Sequence, residues 1–328
     1  MKTVYTIDEY DFVELDYNKH PKNTREIHFL YYDEEGGIVK NRIPGKINLI
    51  DSEIKKFKKH IKGKSFFWHC NHSDPFVGTK DYHITWPDFD YYHAYSENKI
   101  IKKDIQKLYA CQMYSLGYHR DLLCEKLYDY KQISQGFVSY KENALGVDPL
   151  YDKYVNDTKN KNFKKQWRSE ISKYFDDPLD IWSKSCFNIV TESWFDVQAT
   201  NNDMLTEKTY CCILQKQPFV IVGYKNANSL LKQDGYKLYD NVFDYSFDAL
   251  DTIEERIEHL VSQLTKLNIE DFDNTVDEIA NHNYNVYLDK LKSIKLPEIF
   301  YDSDTYWYPA AKREKDKLLK LKSHIDTL

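Results

Sequence analysis

Apolar residues recur along this chain in two rhythms. Short apolar or aromatic runs, bounded by Gly, Pro and Asn, predict strands at 26–32, 65–70, 108–114 and 136–140. Longer stretches with apolar residues at helical spacing lie between them. Asp51 or Ser52 can cap a helix running to about residue 62, which Gly63 stops. Gly117 opens another, to about 130, with Leu122, Leu123 and Leu127 on one side. The stretch 71–93 holds Pro75, Gly78 and Pro87 and reads as loop. Polar residues fill 141–168, whose 159–168 end is basic, and this is the best candidate for a linker.

Beyond it the alternation is clean. A strand at 187–191 is followed by a helix over 206–217. A fully apolar strand at 219–223 precedes a helix over 226–234, stopped by Gly235, and a strand at 236–239 closes the series. Helices are expected over 249–266, 271–293 and 309–324. Strands alternating with helices predict an α/β protein with parallel sheets. The apolar 219–222 run suits an inner strand covered on both faces.

Composition narrows the classes. The 328 residues suffice for two ordinary domains, with 41% hydrophobic and 30% charged residues. A formal charge of −6 is not the footprint of a dedicated nucleic-acid binder. The absence of any apolar run of roughly 18 residues argues against a membrane span. Residues 1–10 are polar and unlike a signal peptide, so a cytoplasmic location is expected. The six cysteines match no zinc spacing, and buried free thiols are expected.

The strongest chemical signal is Phe187-Asn188-Ile189-Val190-Thr191-Glu192-Ser193 followed by Leu205-Thr206-Glu207-Lys208. A strand delivers a carboxylate, Glu192, at its carboxyl end. A helix then opens with Thr206, Glu207 and Lys208. Exposed amides at a helix N-terminus favour an anion, and Lys208 adds a full charge, a pairing suited to a diphosphate. Glu207 can accept hydrogen bonds from ribose hydroxyls. Read alone, the triplet is an ordinary helix cap; the strands on either side raise it to a candidate nucleotide site.

This pattern resembles the α1,3-fucosyltransferase-like glycosyltransferases of the GT-B type. In those enzymes an apolar strand ends in an acidic residue, Thr-Glu-Lys opens a helix, and a further strand ends near a glycine, here Gly223. A second block is similar: the strand Tyr109 to Tyr114, then His119-Arg120, then a Leu-containing helix. The family's usual Asn in that loop is replaced by Tyr114-Ser115-Leu116. The layout also resembles glycosyltransferase-like proteins of phages and large viruses, which would make the expected location the host cytoplasm.

The resemblance covers about residues 108–240 and implies a GT-B-like α/β fold. It would hold two Rossmann-like domains with a helical C-terminal extension: 1–150 for the acceptor, 151–295 for the nucleotide sugar and 296–328 as the extension. It implies an inverting glycosyltransferase with no cofactor and no metal. The donor would be a nucleoside-diphosphate sugar, and the acceptor a glycan or a hydroxymethylated pyrimidine of phage DNA. Glu207 would hold the ribose, Lys208 and Arg120 the diphosphate, and Glu192 would lie near the sugar or ribose. Thr206 and Gly223 complete the donor set.

A proton acceptor is expected from the N-terminal domain, with Asp74 first, then Asp88 and His72. Should DNA be the acceptor, 159–168 with Phe163 and Trp167 would meet its backbone. Two other readings compete. One is a metal-dependent GT-A-type transferase using Asp88 and Asp90, whose Asp88-Phe89-Asp90 has a second copy in Asp271-Phe272-Asp273; there, Asp271 is expected to cap a helix. The other is a non-enzymatic nucleotide-binding module. Arg256 is expected to be a solvent or inter-helix ion-pair residue. Donor base, sugar, acceptor and oligomeric state are not legible in the sequence.

Overall fold

The computed structural model describes residues 2–8, 26–32, 64–69, 83–85, 103–113, 117–140, 178–192, 205, 207–293, 305–307 and a few near the C-terminus (319, 322–323 and 326–327). The chain divides into two compact units. The first comprises 1–92, 200–204 and 289–328, and the second 93–199 and 205–288. Both are built on parallel sheets, so the chain is an α/β protein.

The first unit holds strands β1 (Lys2–Asp8), β2 (Glu26–Tyr32), β3 (Lys64–His69) and β4 (His83–Thr85). A late strand, β9 (Thr305–Trp307), pairs in parallel with β1, giving the order β4-β3-β2-β1-β9. The expected strands at 26–32 and 65–70 are present. β4 falls in the stretch expected to be loop, β1 in the polar N-terminus, and β9 in the expected helical extension. The helix expected over 51–62 lies outside the described residues.

The second unit carries β5 (Lys107–Met113), α1 (Tyr118–Asp129), β6 (Gly136–Tyr140), α2 (Pro178–Ser183), β7 (Ser185–Thr191), α3 (Glu207–Leu214) and β8 (Phe219–Val222). Helices α4 (Ala227–Gln233), α5 (Ile253–Leu264) and α6 (Asn274–Ser293) follow. The parallel strand order is β6-β5-β7-β8, so β8, expected to be an inner strand, is instead an edge strand of this sheet among the described residues, its apolar side chains buried all the same. The sequence groups 107–140 with the residues before it, in a domain ending at 150. Hydrogen bonding joins β5 and β6 to β7 and β8, and the compact units divide at 92/93.

Every residue of the inner strand β7 is buried, as a parallel strand covered on both faces requires. Phe187 is its anchor. Its ring stacks on Phe272 at 5.1 Å, meets Phe243 edge-on at 5.0 Å and lies 5.8 Å from Tyr109. The Asp271-Phe272-Asp273 triplet is therefore structural: its ring joins the core. Asp273 caps α6 by accepting from the Thr275 amide at 2.8 Å, while Asp271 caps the preceding turn through the Asn268 amide at 2.7 Å.

The segment 236–239, expected to be a strand, forms none. Tyr236, Leu238 and Tyr239 are buried and Lys237 is exposed, which is strand-like periodicity. Yet the backbone of Lys237 bonds the side chain of Asn283 on α6, its amide at 2.7 Å and its carbonyl at 2.9 Å. The outer edge of β8 is occupied as well. The amide of Ile221 donates to Asn228 Oδ1, and its carbonyl accepts from Asn228 Nδ2, both at 3.0 Å. Asp248 holds Asn228 in place, accepting from its amide at 3.1 Å and from Nδ2 at 2.9 Å. Its other oxygen accepts from the Ser229 amide at 2.8 Å, capping α4.

Tyr109 lies opposite Gly136 in the β5–β6 register and donates its hydroxyl to the Gln132 carbonyl at 2.9 Å. A Cβ on Gly136 would stand 2.3 Å from the Tyr109 ring, which is fully buried. Gly136→Ala is therefore expected to lower unfolding stability by about 1–3 kcal/mol in urea titration, through overpacking against a ring with no room to retreat.

Candidate functional site

The strand order reverses between β5 and β7: the chain steps from β5 outward to β6, returns to β7 beside β5, and continues outward to β8. A crevice at the carboxyl ends of the strands is expected at such a reversal. The helices that follow the two central strands, α1 and α3, open there. Gly117, extended at φ −167°, precedes α1, and its carbonyl accepts from the Arg120 and Asp121 amides at 3.1 and 3.0 Å. The first turn of α1 is buried although polar, holding His119, Arg120 and Asp121.

These residues grip the end of β7. His119 Nε2 lies 2.9 Å from the Glu192 carbonyl, so that nitrogen carries the proton. Arg120 Nε donates to Thr191 Oγ1 at 3.3 Å, and Nη2 to the Thr191 and Glu192 carbonyls at 3.3 and 3.4 Å. Glu192 is buried, its carboxylate accepting from Thr209 Oγ1 of α3 at 2.6 Å. Its amide donates to the Val222 carbonyl at 3.0 Å, which ties the site to the end of β8. Lys208, partly exposed, completes the group.

Burial holds the His119 imidazole well below the usual histidine value; the Arg120 charge pushes the same way, the bond to the Glu192 carbonyl opposes it, and Lys208 lowers it further. His119 is thus neutral at pH 7. Burial pushes the Cys111 thiol up to about 12, against the pull of Arg120. Cys212 is raised to about 12, also chiefly by burial. Neither thiol is a nucleophile at neutral pH.

Of the residues expected from sequence, Arg120 and Glu192 meet here, and the Lys208 charge is close enough to be felt at His119. Gly223 follows β8 at the same end of the sheet. Glu207 is the first residue of α3. Thr206, His72, Asp74, Asp88, Asp90 and the basic 159–168 stretch lie outside the described residues. Among the described residues, no three His, Cys, Asp or Glu side chains are grouped to hold a metal ion, and no helix is long and apolar enough to cross a membrane.

Arg256 is a correction. It is buried, which overturns the solvent-facing half of the expectation, and donates to the carbonyls of Leu250 at 2.8 Å, Asp251 at 3.2 Å and Gly223 at 3.3 Å. Its spacing with Ile253, Ile257 and Leu260, all buried, puts it on the inward face of α5. That spacing is the signal by which the sequence could have revealed it. Sequence reasoning also passes over His119 and Thr209 as site residues, each adjacent in the chain to one that it selects.

No family model matches the chain, and no curated protein sequence matches it.

The depressed His119 value has a stability consequence. The unfolded chain binds a proton there near pH 6.5 and the folded chain does not, so stability is lost as pH falls below about 6.5, by up to roughly 1.4 kcal/mol per pH unit. His119→Gln is expected to remove this component: chemical denaturation at pH 7 and 5.5 should show the gap between wild type and variant narrowing at the lower pH.

Proposed function

We propose that the protein is a glycosyltransferase that moves a sugar from a nucleoside-diphosphate sugar to a hydroxyl acceptor. The donor is assigned to the carboxyl end of the four-stranded sheet. The observation carrying this reading is the contact of Arg120 with Glu192 at the strand-order reversal, beside the N-termini of α1 and α3, with the Lys208 charge near enough to act on His119. Helix amides and two cations suit a diphosphate and would neutralise it without requiring a metal. Lys208, the more exposed cation, makes the direct contact. Arg120, engaged with backbone carbonyls, is the fixed positive charge behind it. Glu192 is assigned to the sugar or ribose, and Glu207, opening α3, to the ribose.

The finer architecture we assign is GT-B-like, with one parallel-sheet unit for the donor and the other for the acceptor. The acceptor is a glycan or a hydroxymethylated pyrimidine in DNA, and Asp74 takes the proton from its hydroxyl, with Asp88 and His72 as the next candidates.

Titration calorimetry with UDP, GDP and CDP tests the donor site. At least one is expected to bind, and Lys208→Ala is expected to weaken it roughly ten- to a hundredfold while the circular-dichroism spectrum is retained. Binding of none, or unchanged binding by the variant, would refute the assignment. Asp74→Ala is expected to leave donor binding intact and slow transfer roughly 10²–10⁴-fold. Weakened donor binding with unchanged turnover would remove Asp74 from that role.

A further inference from the structure

We infer that Arg256 is a positioning residue of the donor site, holding the turn after β8 in the shape that meets the nucleotide; this rests on the donor reading above. In the β7–β8 pairing, the Pro218 and Val222 carbonyls accept from the Asn188 and Glu192 amides. Backbone groups of the alternate residues, Ile221 and Gly223, therefore face the other way. Ile221 is satisfied by Asn228. Gly223 stands one residue beyond β8, where the chain turns toward α4, and its carbonyl accepts from Arg256 Nη2 at 3.3 Å.

The same guanidinium binds the Leu250 and Asp251 carbonyls. One planar group thus joins two turns that are distant in sequence. The 223–226 turn has a second tie in the Asn226 amide, which donates to the Asp248 carbonyl at 2.8 Å with Asn226 in the left-handed region at φ +68°. Arg256, Gly223, Tyr224 and Asp248 pack together at this end of β8 with no room for a water between them. Because the Glu192 amide bonds Val222, a shift of this turn is felt beside Glu192. A five-donor fork meets three carbonyls at once with a fixed planar geometry, which an ammonium cannot reproduce.

The test compares Arg256→Met, Arg256→Lys and Leu264→Ala by thermal melting and by affinity for UDP, GDP and CDP. Leu264 is buried at the far end of the same helix and takes no part in these bonds. Arg256→Met is expected to weaken the best-bound diphosphate roughly tenfold, with Arg256→Lys recovering part of the loss, while Leu264→Ala stays within about twofold despite its lower melting temperature. The inference is overturned if Arg256→Met binds as wild type does, or if Leu264→Ala weakens binding equally. Should Arg256→Met not fold, Arg256→Lys against Leu264→Ala carries the same comparison. Wild-type protein that binds no diphosphate would overturn the donor reading and this inference together, whereas loss in Lys208→Ala with none in the Arg256 variants would overturn only this one.

Discussion

A strand at the rim of a buried sheet must still satisfy its outward amides and carbonyls, and at Ile221 and Gly223 the outer edge of β8 does so with side chains. Leaving such groups unpaired costs about 1–3 kcal/mol each. Asn228 supplies donor and acceptor to Ile221 from one side chain, imitating a strand for a single residue. Arg256 closes the Gly223 position. Asp248 locks the arrangement by holding Asn228 and capping α4 with the same carboxylate. The path of the chain beyond β8 follows from these three side chains.

The polar cluster between α1, α3 and the end of β7 is built by the same logic. Carbonyls at the end of a parallel strand point beyond the sheet and need donors. His119 and Arg120 provide them, and Arg120 in doing so brings positive charge to the mouth of the strand reversal. Thr209 fixes the carboxylate of Glu192 from the opposite helix. α1 is braced in turn against α5, where Glu254 accepts from Tyr118 and Glu258 meets both Lys126 and Tyr130. These braces are largely exposed, so each contributes little to stability and their value is in number.

Apart from α2, which the sequence reading passes over, the strands and helices of the second unit are legible because short, largely apolar runs alternate with helical spacing bounded by turn residues. Arg120, Glu192 and Lys208 are legible for the same reason: they sit at the strand-to-helix junctions that the alternation marks. The segment 236–239 misleads because Tyr236-Lys237-Leu238-Tyr239 reads as a short, mostly apolar run after a helix, while its hydrogen-bond partner is the Asn283 side chain, remote in sequence. Arg256 misleads because its charge outweighs its position on an apolar helix face. β1 and β9 carry too little apolar signal to be read alone, since what defines them is their pairing with each other and with β2.

The pairing of β1 with β9 has a consequence for the order of assembly. Lys2 lies beside Thr305, so the first strand waits for one that is synthesised about three hundred residues later. The second unit, whose strands all lie between 107 and 222, can close its sheet while the first still lacks a strand. Until β9 arrives, that side of β1 is an open edge, a template for pairing with other chains. Synthesis that slows or stops between residues 222 and 305 would therefore leave the first sheet, and not the second, short of a strand.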